Sequence, residues 1–154
     1  MKQITITDLL MFEEGYREFP YHCSEGYPTI GIGTKIGPNN APLSNYTFKV
    51  SEKVAGAMLE DELYSVRQSL LKFRWYVELD EHRQIIVKSM AYQMGVNGVL
   101  KFKKMIAALE SKDYSEASRQ ALDSRWARQT PARAERHAAV LGWGNLNEVY
   151  EGLI

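Results

Sequence analysis

Glu14 is the first residue whose position suggests chemistry. It falls in the last turn of a predicted helix, directly before Gly15. There the unpaired carbonyls form the negative end of the helix dipole and disfavour a charged carboxylate. A carboxyl group kept protonated near neutral pH can donate a proton to a departing oxygen, the task of the acid in glycoside cleavage. By position alone, however, Glu14 is better described as one of nineteen solvated acids. Cys23 and Thr29 fall on the two arms of a predicted hairpin, either side of a Ser24-Glu25-Gly26 turn. That spacing puts them close to opposite each other on one face. A thiol and a hydroxyl so placed could hold one water between them, although a small buried cysteine beside a β-favouring threonine explains the pair as well.

Three further segments carry weaker signals. Gly31-Ile32-Gly33 begins like a dinucleotide fingerprint but lacks the third glycine and the following helix, and is taken as close strand packing. Tyr92-Gln93-Met94-Gly95 closes a helix with an ordinary glycine stop. The stretch Arg119–Arg136 sets five arginines against Asp123 and Glu135. Those arginines form either a solvated helix face or a surface for anionic carboxylates.

The elements that must position these groups follow from punctuation and periodicity. Thr5 or Thr7 caps a short first helix carrying Leu9, Leu10, Met11 and Phe12, and Gly15 ends it. Residues 16–34 alternate in the manner of a β-hairpin, with a third strand near Thr34–Ile36 and a proline-asparagine loop after it. Ser51 caps a long helix ending near Phe73, in which Ala55, Met58, Leu59, Leu63, Val66 and Leu70 recur at helical spacing. Asp80 caps another that runs to Met94, and shorter helices are predicted over roughly 98–109, 113–122, Ser124–Arg128 and from Thr130-Pro131 onward. The expected fold is α+β and mainly helical. A single domain over 1–154 holds a β-rich lobe over about 15–50 and a connecting helix over about 51–73. A helical lobe over about 74–154 takes in the first helix as well. A cleft between two such lobes suits an extended ligand.

Composition narrows the function classes. Nineteen basic and nineteen acidic side chains cancel, which gives no support to a nucleic-acid partner. One cysteine excludes an internal disulfide, and it forms no metal-ligand spacing with His22, His82 and His137, so no metal or cofactor is expected. The opening residues carry one early lysine and are interrupted by Asp8 and Glu13, unlike a secretory signal, and no segment approaches a membrane span.

Taken together the segments resemble the phage-type lysozymes, the endolysin family. Glu14-Gly15 ends the first helix, eight residues separate Glu14 from Cys23, and five separate Cys23 from Thr29. Residues Glu25 to Gly33 (EGYPTIGIG) are similar to the family's hairpin signature, and Tyr92–Gly95 and Ser124–Ala134 (SRWARQTPARA) to its two C-terminal signatures. The resemblance implies a lysozyme-like fold and a muramidase acting on peptidoglycan. It implies Glu14 as the general acid, Cys23 at the second catalytic position and Thr29 placing the attacking water. It also implies Arg133 pairing with the glutamate, Gln93 and Gly95 lining the cleft, and Gly31 letting the sugar backbone approach. The protein is then expected to be a monomer without a cofactor, acting on the cell wall and delivered there by a holin-type pore or a secretion machine.

Two departures bear on this. Cys23 stands where the family most often has an aspartate, exchanging a group that ordinarily titrates at about 3.9 for one at about 8.5. Base, nucleophile and water-positioning group all remain open for it, and a lytic transglycosylase or an inert wall-binding module are the alternatives to hydrolysis. Thr34 stands where the family's best-known member has a histidine that serves stability.

Overall fold

The computed structural model describes residues 2–154. Helix α1 (Ile6–Glu14) begins with a capping box: Asp8 N–H donates to the Thr5 hydroxyl, and Thr5 N–H donates to the Asp8 carboxylate. Gly15, at φ 69°, ends it and turns the chain into strand β1 (Arg17–His22). Glycine is suited to that turn because it adopts positive φ without a Cβ clash. Glu14 is therefore the last helical residue, as its place in the sequence predicts.

Strands β1, β2 (Pro28–Gly31) and β3 (Thr34–Lys35) form an antiparallel sheet in that order. Tyr21, not Cys23, is registered against Thr29. Cys23 lies just beyond β1, its N–H donating to Tyr27 O at 2.9 Å. The expectation that Cys23 and Thr29 face each other directly is thus corrected. They are diagonal neighbours, and because strand side chains alternate with period two, Cys23 still belongs to the same face as Tyr21 and Thr29.

Helix α2 (Glu52–Leu70) starts at the Ser51 cap and ends short of the predicted Phe73, and a separate turn of helix, α3 (Arg74–Val77), follows. Helix α4 (Glu81–Met94) runs from the Asp80 cap to Gly95 as predicted. The single helix expected over 98–109 is two, α5 (Val96–Leu100) and α6 (Lys103–Glu110). Phe102 leaves helical geometry between them and packs edge-on against Trp126, with ring centroids 6.1 Å apart. A tertiary contact here overrides local propensity. Helices α7 (Tyr114–Leu122), α8 (Arg125–Gln129) and α9 (Pro131–Trp143) match expectation, and a short α10 (Leu146–Val149) does not appear in the sequence reading.

Two apolar clusters result. The larger gathers the helices, with Leu9, Leu70, Ile86, Met90, Met105 and Leu141 among its members. The smaller lies under the sheet and holds Leu10, Ile30, Ile32, Val50, Ala55, Leu59 and Tyr92. Adjacent residues Leu9 and Leu10 go to different clusters, and α2 divides likewise, with Ala55 and Leu59 in one and Val66 and Leu70 in the other. Helices α1, α2 and α4 therefore bind the sheet to the helical body. Among the described residues no helix is long and apolar enough to cross a membrane.

Gly31 sits at this junction with φ 66°, and a Cβ there would lie 3.0 Å from Ala55 Cβ on α2. Gly31→Ala is expected to lower stability by about 1–2 kcal/mol through left-handed strain and the crowding of α2. Urea unfolding would measure it, and an unchanged midpoint would show that the sheet is not held that close to α2.

Candidate active site

Glu14 emerges from the end of α1 between the sheet and the helical body. Arg133, in the first turn of α9, donates from Nη1 to Glu14 Oε2 at 2.6 Å. The guanidinium is buried and the carboxylate is only 17% exposed, so this pair is largely withdrawn from water. On the other side the carboxyl group lies against Gly33, where a Cβ would come within 2.6 Å of Glu14 Oε1. Close approach at this hairpin is thus required at Gly33, by the acid. Gly31, to which the resemblance assigns contact with sugar, is instead buried against α2.

Glu14, Cys23 and Thr29 line one small pocket of about 60 Å³ together with Tyr21, Lys35 and Gln93. Its size suits water better than a sugar ring. The buried Thr29 hydroxyl donates to Tyr27 O at 2.8 Å, so its one proton is committed and its oxygen is left to accept. Glu25 and Gln93 belong both to this pocket and to an adjoining cleft of about 610 Å³ between the hairpin and the helices. Tyr27 and Asn39 line the hairpin side of that cleft, and Lys101, Arg125 and Trp126 the helical side.

Gln93 is held from two directions. Trp126 Nε1 donates to its side-chain oxygen at 2.8 Å, and Lys35 Nζ donates to its backbone carbonyl at 3.2 Å. Gly95 does not line either space. It ends α4 at φ 82°, its N–H donating to Ala91 O. Across the cleft, the Gln129 amide bridges the walls when turned to satisfy both its atoms, donating to Glu25 Oε1 at 2.7 Å and accepting from Arg125 Nε at 3.1 Å. The structure therefore brings together Glu14, Cys23, Thr29, Gln93 and Arg133, and separates Gly31 and Gly95 from them.

Several polar groups around the site have no signal in the sequence. Tyr92 reaches from α4 to donate its hydroxyl proton to Ile32 O, holding the turn that carries Gly33. Thr34 and Glu62 approach the same hydroxyl, and Thr34 Oγ1 and Glu62 Oε2 are buried there without a hydrogen-bond partner. Burial raises the Glu62 carboxyl above its ordinary range, and the Glu14 charge adds to the effect, while Tyr92 and Lys35 oppose it. Tyr92 is raised by burial first and by Glu62 second. Glu13, next to the acid, is withdrawn from solvent with its carboxylate on Arg136 (2.6 Å) and the Tyr150 hydroxyl (2.5 Å). Helical periodicity could have marked Glu13 as inward-facing, but nothing marked its partners.

A model of the phage lysozyme family matches residues 12–145, and the chain belongs to that family. Two relatives from Dictyostelium discoideum are similar along their whole length. Probable T4-type lysozyme 1 is 33% identical over 93% of this chain and 96% of its own. Probable T4-type lysozyme 2 is 30% identical over 94% and 97%. The pre-baseplate central spike protein of Enterobacteria phage T4 is 30% identical over 93% of this chain, a match that covers 28% of that protein.

The raised Glu62 carboxyl has a consequence for stability. The folded state holds its proton to higher pH than the unfolded chain, so stability is lost as pH rises from the ordinary carboxylate value of about 4.3 through the raised value. Glu62→Gln is expected to stabilise the protein above that window and to leave it unchanged below about pH 4. Melting temperatures of the two proteins across pH 3–8 would check this, and a difference independent of pH would refute it.

Proposed function

We propose that the protein is a muramidase that hydrolyses the β-1,4 bond between N-acetylmuramic acid and N-acetylglucosamine in bacterial peptidoglycan. Membership of the phage lysozyme family supports a peptidoglycan-degrading, muramidase-type function. The observation that carries the reading to this chain is Glu14 itself. It is one carboxyl group clamped by Arg133 where a water-sized pocket containing Thr29 and Cys23 meets a long cleft.

In this reading a glycan strand lies along the cleft against Tyr27, Gln93 and Trp126, with Lys101 and Arg125 available to the lactyl and peptide carboxylates of the wall polymer. In its protonated form, still accepting from Arg133 on Oε2, Glu14 gives its proton to the glycosidic oxygen as the bond to the anomeric carbon breaks. A water donating to Thr29 Oγ1 and adjoining Cys23 attacks that carbon, and its other proton leaves to the Cys23 sulfur or to solvent. Binding the departing oxygen and the incoming water in fixed positions is worth several orders of magnitude in rate without any further catalytic group. Cys23 could instead attack the carbon directly, giving a glycosyl thioether that water then opens.

A lytic transglycosylase is the second reading, favoured by the absence of an aspartate at position 23. There an intramolecular hydroxyl of the muramic acid replaces water and leaves an anhydro end. Retention of Glu14, Thr29 and Arg133 in one constellation weighs against an inert wall-binding module.

Digestion of purified peptidoglycan, with products resolved by mass spectrometry, distinguishes these. The expected products carry reducing muramic acid ends, and Glu14→Gln is expected to lower kcat by about a thousandfold or more while remaining folded. Anhydro ends would select the transglycosylase, and wild-type turnover by Glu14→Gln would overturn the acid assignment. For Cys23, alkylation should inactivate the enzyme while a Cys23→Asp variant keeps activity and resists the reagent. Full activity after complete alkylation would remove Cys23 from the reaction.

A further inference from the structure

A chain of buried polar groups runs from Glu14 through the helical body and back to Glu13, and the proposed reaction uses nothing of it beyond Arg133. Arg133 Nη2 donates to Ser89 Oγ at 3.0 Å and, more weakly, to Ser89 O at 3.3 Å. Ser89 Oγ is 2.7 Å from His137 Nε2, and His137 Nδ1 is 3.0 Å from the Tyr150 hydroxyl. Tyr150 in turn is 2.5 Å from the Glu13 carboxylate, which Arg136 grips with two hydrogen bonds. Ser89, His137 and Tyr150 are fully buried.

Counting protons fixes the direction of every bond. Glu13 is paired with Arg136 and only accepts, so Tyr150 donates its single proton to it. The Tyr150 oxygen must then accept from His137, which places the imidazole proton on Nδ1. His137 Nε2 is left as an acceptor, and the Ser89 hydroxyl donates to it. Ser89 Oγ consequently has its lone pairs free for Arg133. Burial and the charges of Arg133 and Arg136 keep His137 neutral, although Glu13 lies 3.7 Å from its Nδ1. A proton on Nε2 would turn the Ser89 hydroxyl away from its acceptor.

We infer that His137, acting through Ser89, is a positioning residue for the acid: neutral and protonated on Nδ1, it orients the Ser89 hydroxyl so that Arg133 is held against Glu14. This rests on the proposed role of Glu14 as the acid. Arg133 Nε is buried without a partner, so its guanidinium is oriented only by Glu14 and Ser89 at its two ends. Loss of the Ser89 hydroxyl leaves that end of the clamp on the longer bond to Ser89 O alone.

Two substitutions separate the halves of the imidazole. Asparagine can supply a donor near Nδ1 and so keep the bond to Tyr150, whereas glutamine can supply an acceptor near Nε2 and so keep the bond from Ser89. Both shorten or alter the buried contact and cost stability. Assayed on purified peptidoglycan well below their melting temperatures, His137→Asn is expected to lose about tenfold in kcat with KM little changed, and His137→Gln to stay within about twofold of wild type. Ser89→Ala removes the shared hydroxyl from the other end and should reproduce the asparagine result.

Crystal structures of the variants test the same link without turnover. Arg133 should remain on Glu14 in His137→Gln and turn away in Ser89→Ala and His137→Asn. Equal kcat in the two His137 variants, or an unmoved Arg133 in Ser89→Ala, would overturn the positioning role. An inactive wild type with Arg133 displaced in Ser89→Ala would overturn only the muramidase reading.

Discussion

The ion pair between Glu14 and Arg133 is the constraint on which the site depends. It joins residues 119 apart in the chain, one at the end of α1 and the other in the first turn of α9. A pair this far from water is held against a substantial desolvation cost, which close geometry and neighbouring partners offset only in part, since Arg133 Nε stays unpartnered. Arg133 has Ser89 behind it, and Glu14 has the backbone of Gly33 against it. Three helices and the hairpin must therefore be in register before the carboxyl group has a position at all. The neighbouring pair of Glu13 and Arg136 ties the same two helices together one turn deeper.

That register is supplied by apolar packing. Leu9 and Leu10, adjacent on α1, enter the helical core and the core beneath the sheet respectively, so the helix that delivers Glu14 is anchored on both sides. Helix α2 repeats the arrangement over its longer span, and Tyr92 on α4 fills the smaller core while its hydroxyl holds Ile32 O. A functional group placed at the junction of two cores inherits the rigidity of each, while the space between the hairpin, the ends of α4 and α5, and α8 stays open as a cleft. The surroundings of Tyr92 are costly in polar terms, since Thr34 Oγ1 and Glu62 Oε2 are buried there without a hydrogen-bond partner. The structure tolerates this beside the acid.

Much of the fold was legible from local punctuation. Thr5, Ser51, Asp80 and Ser124 each cap a helix, and Gly15 and Gly95 each end one, because capping chemistry acts within a few residues and leaves its mark in composition. The break at Phe102, whose ring packs on Trp126 twenty-four residues on, was not legible, and α3 and α10 are too short to show periodicity. In the site, the glycines show the same division. Gly31 and Gly33 look alike in sequence, yet one clears α2 and the other clears Glu14, and only the packed neighbours distinguish them.

The sequence by itself determined that Glu14 stands at a helix end and that Cys23 and Thr29 flank a hairpin turn, because these follow from residue type and short-range turn chemistry, while the family resemblance singled out Arg133. Tertiary structure alone decided that Tyr21 rather than Cys23 faces Thr29, that Gly95 stays outside the cleft, and that Glu62, Ser89, His137 and Tyr150 belong to the polar surroundings of the site. The physical reason is range. Caps and turns are satisfied by neighbours in the chain, whereas a buried polar group must find its partner wherever the cores bring one within about 3 Å, and that distance is set by packing across the whole molecule.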